Sequence, residues 1–288
     1  MSGLNTLRLK RILFPFDFSD MSAGTAPFVH ALACQLEASV TLLSVLPPVW
    51  DFGFTGPPAQ TAELEALKTK LDAALTKELA GLKVERVARK GDPASIVVDY
   101  AHTNAIDLIM MPTHGLGPYR GLLLGSVTAK VLHDARCPVW TAPHVEDPLL
   151  AEHRACRNVL CAADGTAKTV PLLKWASAFA TSLGSRLHVV HAVPSISDWP
   201  SLARERALQE EVRQEASATV ERLRQDAGVE APLLVTVGDP AQVVHDDALR
   251  TQAGLVIIGR GVLGEALGRL RTHAHAIIRR TPCPVISV

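Results

Sequence analysis

"GDPASIVVDYA", residues 91–101, returns as "GDPAQVVHDDA" at residues 238–248. Two further stretches echo in the same way. "RILFPFDFS" at 11–19 matches "NVLCAADGT" at 158–166, and "ARCPVW" at 135–140 matches "TPCPVI" at 281–286. Gly91 and Gly238 lie 147 positions apart, as do Asp17 and Asp164, whereas Cys137 and Cys283 lie 146 apart. One residue is therefore lost from the second copy between the positions of Pro112 and Cys137. A period this long is a duplicated domain, because solenoid repeats run to tens of residues. The reading gives a first domain at 1–143, a linker at 144–156 within "TAPHVEDPLLAEHRACR" (141–157), and a second domain at 157–288.

Within each copy, short apolar runs alternate with longer amphipathic segments. Strands are expected at Arg11–Phe16, Val40–Leu46, Val84–Arg89, Leu108–Met111 and Val139–Thr141. Their counterparts are Asn158–Ala162, Arg186–Val193, Leu233–Val237, Leu255–Ile258 and Val285–Val288. Runs this continuously apolar suit parallel strands buried on both faces. In "GDPA", Asp92 reads as a helix cap, with Pro93 at the first helical position, where its missing N–H costs nothing. Val127, Val131, Leu132 and Ala135 form one apolar stripe on a following helix. Repeated βαβ units imply a parallel sheet with helices on both faces and ligands beyond the carboxyl ends of the strands.

The loop after the fourth strand, "PTHGLGPYRGLLLGSVTAKVL" (112–132), leaves bare backbone at a helix entrance. Helix-entrance N–H groups lack intrahelical acceptors and carry partial positive charge, so they suit an anion. Gly115 and Gly125 permit close approach and positive φ, and Ser126 can donate a hydroxyl. The residue before Ser126 is Gly125, so the lysine of a Walker loop is absent, and the glycine spacing is not G-x-G-x-x-G.

Gly115, nine intervening residues, then Gly125-Ser126 ahead of an amphipathic helix resembles the ATP-binding signature G-x-x-G-x9-G-[ST] of universal stress proteins. "ILFPFDFS", "VTLLSVL" and "CPVW" resemble that family's first, second and last strands, and the resemblance covers both halves. It implies two tandem Rossmann-like or flavodoxin-like α/β domains, each a five-stranded parallel sheet with helices on both faces. It also implies ATP as ligand, with Mg2+ as an optional companion, and pairing of the two copies through their last strands, with further assembly into a homodimer. Carried over, Pro15, Phe16 and Asp17 would lie along adenine and ribose, and Val45 would cover the base. Met111, Pro112, His114 and Gly115, with Gly125, Ser126, Val127 and Thr128, would hold ribose and phosphates. Pro112 stands where the motif has its first glycine, and it can donate no N–H. The second copy keeps Asp164, Gly259, Gly261 and Thr272, but Arg271 replaces the match of Gly125, which is expected to fill the phosphate passage.

Other features carry competing readings. Asp17 and Asp164 either bond a nucleotide or cap a helix together with Ser19 or Thr166. His133 and Cys137 lie four apart and His114 lies near the loop, but no dense ligand cluster appears in the sequence, and no metal site is expected. Cys156 and Cys161 match no redox motif. His188 and His191 alternate along one expected strand with Val189 and Val190, and His191, near the pocket, is expected to be a satisfied histidine and not a catalytic one. "PPVWDFGFTGPPAQ" (47–60), with Trp50, Phe52 and Phe54, reads as a lid or as cover for the core. The charged segments after it and after "PSISDWPSL" read as outer helices laced by i,i+4 ion pairs.

The chain has 288 residues, 48% of them hydrophobic and 20% charged, with 29 basic balanced by 29 acidic side chains. That composition suits packed domains and gives no electrostatic case for nucleic acid or an anionic membrane. Five cysteines, an odd number, do not form a disulfide framework. No signal peptide or membrane-length apolar run is seen, so a cytoplasmic location is expected. The function expected is a stress-response protein whose first half binds ATP as a regulatory switch, with no catalytic residue assigned. The alternatives are a weak ATPase or nucleotidyl-transfer enzyme on the same fold, and a ligand-free interaction scaffold.

Overall fold

The structure is a computed structural model that describes residues 7–48, 57–113, 124–142, 157–195, 203–260 and 269–288, with the side chains of all of these except 57–60, 203 and 269–272. Two compact units divide the chain, one at Arg8–Pro148 and one that includes Leu149–Val288. The linker residues 144–156 lie outside the described residues.

The first lobe comprises β1 (Arg11–Pro15), α1 (Asp20–Leu36), β2 (Ser39–Leu46), α2 (Pro57–Ala73), β3 (Val84–Lys90), α3 (Pro93–Thr103), β4 (Leu108–Pro112), α4 (Ser126–Asp134) and β5 (Val139–Ala142). Its strands lie in the order β3-β2-β1-β4-β5, and the pairings of β1 with β2 and β4, of β2 with β3 and of β4 with β5 are parallel. The second lobe comprises β6 (Asn158–Ala162), α5 (Thr169–Ser182), β7 (Arg186–Val193), α6 (Ala203–Ala227), β8 (Leu233–Val237), α7 (Pro240–Arg250), β9 (Leu255–Ile258), α8 (Arg269–Arg280) and β10 (Val285–Ser287). Here the order is β10-β9-β6-β7-β8, the same topology in the repeat register, again parallel.

Burial follows from this arrangement. Ile12, Leu13 and Phe14 of β1, and Leu108, Ile109 and Met110 of β4, are fully buried, so side chains pointing to either face of the sheet meet helices. Val159, Leu160 and Cys161 play the same part in the second lobe. Strand order reverses in direction between β1 and β4, and between β6 and β9. In such sheets the crevice at that switch point, beyond the carboxyl ends, is where ligands sit.

Several local signals read as expected. Asp92 accepts from the Ser95 N–H and Asp239 from the Gln242 N–H, each followed by proline at the first helical position. Val131, Leu132 and Ala135 are buried beneath α4. Three expectations need correction. The charged segment after the 47–60 stretch stops being helical at Ala73: Leu75 turns left-handed at φ +52°, and Arg86 of β3 donates to the Leu71 and Ala74 carbonyls left at that helix end. The ion pairs on α6, Glu210–Arg213 and Glu221–Arg224, are spaced i,i+3, with Gln214 and Gln225 donating to the same glutamates from i+4. β5 runs to Ala142, one residue past the expected Thr141 and into the 141–157 stretch that contains the linker. Residues 49–56 and 196–202, which contain most of the two loops compared above, lie outside the described residues.

Candidate functional site

In the first lobe, two chain segments leave the sheet at the switch point: the turn after β1 and the entrance of α4. Phe16 extends the β1 ladder by donating its N–H to the Leu43 carbonyl at 2.8 Å. Asp17 then turns its carboxylate back on the chain. Its Oδ1 accepts from the Ser19 N–H at 3.0 Å, the Ser19 hydroxyl at 2.6 Å and the Ser22 hydroxyl at 2.7 Å. Ser19 in turn caps α1 by accepting from the Ser22 N–H. The capping reading of Asp17 is therefore realised through Oδ1. Its Oδ2 takes no hydrogen bond among the described residues, and the side chain is exposed.

Phe18, next in the turn, has φ +61°. That left-handed conformation is unfavourable for a bulky side chain. The ring is held in place by Phe16, with centroids 4.8 Å apart, and by the Lys70 ammonium 4.0 Å above its face.

At the other segment, the Gly125 N–H donates to the Thr113 carbonyl at 2.9 Å, and the Thr128 hydroxyl donates to the Pro112 carbonyl at 3.1 Å. These bonds fasten the start of α4 to the end of β4. Gly125 is the N-cap and supplies no side-chain acceptor, while its carbonyl takes the Ala129 N–H at 2.8 Å. The N–H groups of Ser126, Val127 and Thr128 consequently have no acceptor within the helix. Gly125 has φ −57°, not the positive φ allowed for above, so what it contributes is the absence of a side chain. Ser126 is exposed, whereas Thr128 is 3% exposed with its proton committed to Pro112. Proline at 112 leaves the β4–β5 ladder intact because donation to β5 falls on alternate residues, Ile109 to Pro138 and Thr113 to Ala142, and skips position 112.

Pro15, Phe16, Asp17, Val45, Met111, Pro112, Gly125, Ser126, Val127 and Thr128 therefore all lie at the carboxyl ends of β1, β2 and β4 or at the entrance of α4. Met111 and Pro112 are buried, and Val45 is half-buried. His114 and Gly115 lie outside the described residues.

The second lobe repeats one segment closely and alters the other. Asp164 Oδ1 accepts from the Thr166 N–H at 3.0 Å, the Thr166 hydroxyl at 2.8 Å and the Thr169 hydroxyl at 3.0 Å. Ser22 and Thr169 were not singled out in the sequence, yet the 147-residue register aligns them and would have found them. The residue after Asp164 is Gly165 at φ +75°, where an added Cβ would lie 3.1 Å from His191 Cε1. His191 Nδ1 donates to the Ala163 carbonyl at 2.8 Å, so it is a satisfied histidine, as expected. The first lobe has Phe18 and Ser44 at these two stations, and the second has Gly165 and His191.

The matching helix, α8, begins at Arg269, so Arg271 lies inside it and is not its cap. Thr272, the match of Ser126, is likewise within the helix, and the side chains of both are outside the described set. Gly259 follows β9, and Gly261 lies outside the described residues.

Elsewhere, Lys130 of α4 donates to Asp92 and to the Ser95 hydroxyl at 2.9 Å each, and Ser95 donates to Asp92 at 2.6 Å. The Ser95 and Lys130 bonds hold the Asp92 carboxyl down at about 2. Cys161 is fully buried, which pushes its thiol up to about 12, so no thiolate forms there at neutral pH. Cys156 lies outside the described residues. His133 pairs with Asp134, and no group of three or more His, Cys, Asp or Glu side chains converges among the described residues. No helix among them is long and apolar enough to cross a membrane.

The profile of the universal stress protein family matches residues 8–143 and again 155–288. The chain belongs to the universal stress protein family. It carries two such domains in tandem. A universal stress protein of Methanocaldococcus jannaschii is 35% identical over 139 residues, covering 45% of this chain and 79% of that one. One of Thermus aquaticus is 33% identical over 136 residues, covering 45% and 96%. The crystal structure of a universal stress protein from Archaeoglobus fulgidus aligns over 98% of this chain and 96% of its own, with a TM-score of 0.69 at 21% identity, a likeness of fold.

Proposed function

We propose that the first lobe binds ATP at the β1/β4 switch point and that the protein works as a nucleotide-dependent stress-response switch in the cytoplasm. The observation that carries this reading is the entrance of α4, where a cap without a side chain leaves three N–H groups with no acceptor among the described residues, beside the exposed Ser126 hydroxyl. Phosphate oxygens suit such an entrance. The residues present fit the rest of a nucleotide. Asp17 Oδ2 is available to a ribose hydroxyl, and the half-buried Val45 and Pro15 offer apolar surface to a base, backed by the buried Phe16. The residue before Ser126 is Gly125 and not the lysine of a Walker loop, and no carboxylate pair stands beside Ser126 among the described residues, which favours binding over turnover and assigns Mg2+ no protein ligand pair there. The second lobe, in which Arg271 lies inside α8, serves in this reading as the structural copy. Pairing of the copies through "CPVWTAP" and "CPVISV", and a homodimer beyond that, belong to the same proposal and are tested by light scattering coupled to crosslinking.

A second reading, a ligand-free scaffold, is favoured by Pro112, which has no N–H, and by the Thr128 hydroxyl, which already bonds Pro112. Native mass spectrometry of the purified protein separates the readings. Co-purifying ATP supports the switch, ADP or AMP favours an ATPase or nucleotidyl-transfer enzyme, and no nucleotide favours the scaffold. Gly125→Val places a branched side chain in the entrance. It is expected to weaken ATP binding by calorimetry at least about tenfold, the equivalent of one lost charge-assisted contact, with an unchanged far-UV spectrum. Unchanged affinity would overturn the assignment.

A further inference from the structure

The two lobes hold the same aspartate turn by different means. In the first, the bond from the Ser19 N–H to Asp17 Oδ1, at 3.0 Å, closes a ring across the backbone of Phe18. The φ of Phe18 therefore sets where the Asp17 carboxylate points. That φ is +61°, which a phenylalanine keeps only under constraint. Two neighbours supply the constraint. The buried Phe16 packs on the half-buried Phe18 ring, with centroids 4.8 Å apart and planes inclined at 58°. Lys70 of α2 places its ammonium over the same ring, 4.0 Å from the centroid. Among the described residues that ammonium has no carboxylate partner, so the ring face is what retains it.

In the second lobe this support is absent and is not needed. Asp164 accepts the same three bonds, but the residue enclosed by the ring is Gly165, for which φ +75° carries no strain. The register match of Lys70 is Ser217, an uncharged residue. Aromatic ring and cation are thus present together in one copy and absent together from the other. The helix that brings Lys70 is also lightly anchored. Over 61–71, Leu64 and Leu67 are half-buried, Leu71 is fully buried and the remaining side chains are exposed. An element with so few buried contacts opens readily.

We propose, resting on the ATP reading above, that Lys70 is a positioning residue for the first-lobe site: acting through Phe18, it holds the Asp17 turn and so couples α2 to the occupancy of that site. Lys70 need touch no part of the nucleotide. Without the ammonium, the left-handed Phe18 loses one of its two supports, and the turn presents Asp17 Oδ2 for less of the time. A cation on an exposed ring is worth about two- to fivefold in such an equilibrium, and ATP affinity should fall by that factor. Coupling is reciprocal, so bound ATP should slow the opening of α2 to a similar extent.

ATP calorimetry and hydrogen exchange on the full chain test this. Lys70→Met should weaken ATP binding about two- to fivefold. In the ligand-free protein it should accelerate exchange over 17–22 by a similar factor while 164–169 stays unchanged. Lys70→Arg, which keeps a cation for the ring, should restore both. ATP should slow exchange over 61–73 in the wild type and not in Lys70→Met. In a Phe18→Gly background, which copies the second lobe, Lys70→Met should change neither affinity nor exchange; Phe18→Asn replaces that background should the glycine variant not fold. An effect of Lys70→Met that persists there would mean direct action on the nucleotide or on α2 alone, and would overturn the proposal. Unchanged ligand-free exchange over 17–22, or bound ATP that leaves 61–73 unprotected, would overturn it as well. A wild type that takes up no ATP would overturn the site reading and the affinity half of this proposal, and the ligand-free exchange would then accept or reject the Phe18–Lys70 support by itself.

Discussion

The turn after β1 and the turn after β6 share one hydrogen-bond scheme and differ in where they keep their bulk. Asp17 with Ser19 and Ser22, and Asp164 with Thr166 and Thr169, bond through the same atoms at nearly the same distances. In the first lobe an aromatic residue sits on the turn in a left-handed conformation, and the register match of His191 is the small Ser44. In the second the turn is glycine, and the large side chain, His191, projects from the strand. A duplicated fold thus holds its polar scaffold constant while volume moves between neighbouring stations, because total volume, not identity, is what packing constrains.

The largest expected effect breaks the comparison at its cores. Phe14 occupies the β1 station that Cys161 fills in β6, and both are fully buried. Phe14→Ala should destabilise the first lobe by about 3–5 kcal/mol, shifting only that lobe's transition in calorimetry. A single transition moving as one would show that the lobes unfold together. Next comes the turn. Gly165→Ala should cost about 1–3 kcal/mol in urea unfolding, from positive φ and the His191 contact together. In a His191→Ser background part of that cost should vanish, leaving the backbone contribution. An unchanged cost would mean the two stations are not coupled.

Asp17→Ala and Asp164→Ala should each cost about 1 kcal/mol, since each removes the acceptor of three hydrogen bonds in its turn. Only the first should weaken ATP binding, read by calorimetry. The smallest effect belongs to Lys130→Met, which breaks an exposed ion pair and should change stability little and less still at high salt. Because the Asp92 carboxyl sits near 2, below its ordinary 3.8, its contribution is present above 3.8 and lost as pH falls toward 2. Urea midpoints of wild type and Lys130→Met should therefore converge over that interval.

The strands were legible almost residue by residue. Asn158–Ala162, Arg186–Val193, Leu233–Val237 and Leu255–Ile258 appear with the bounds expected, because strands buried on both faces need unbroken apolar runs. The Asp92 and Asp239 caps were equally plain, since cap chemistry is local. Phe18 was not legible: nothing in "FDFSD" announces a left-handed phenylalanine, which depends on Lys70 arriving from a distant helix. Nor was the buried, unpaired Oδ2 of Asp247, because burial of a single atom is decided by tertiary packing. At the candidate site, the positions of Asp17 and Gly125 followed from the repeat and the glycine pattern. The commitment of Thr128 to Pro112 did not, since a hydroxyl beside a phosphate motif reads the same whether it faces ligand or strand.

That hydroxyl has one more consequence. Together with the Gly125 amide on Thr113, it staples the stems of the 114–124 connection directly to each other. Whatever spans the staple can be lengthened, shortened or rewritten with little strain on either stem. The one-residue loss in the second copy falls within the interval that contains this connection. The protein therefore offers a ready socket for loop exchange, in which new recognition sequences can be installed while helix and strand keep their register.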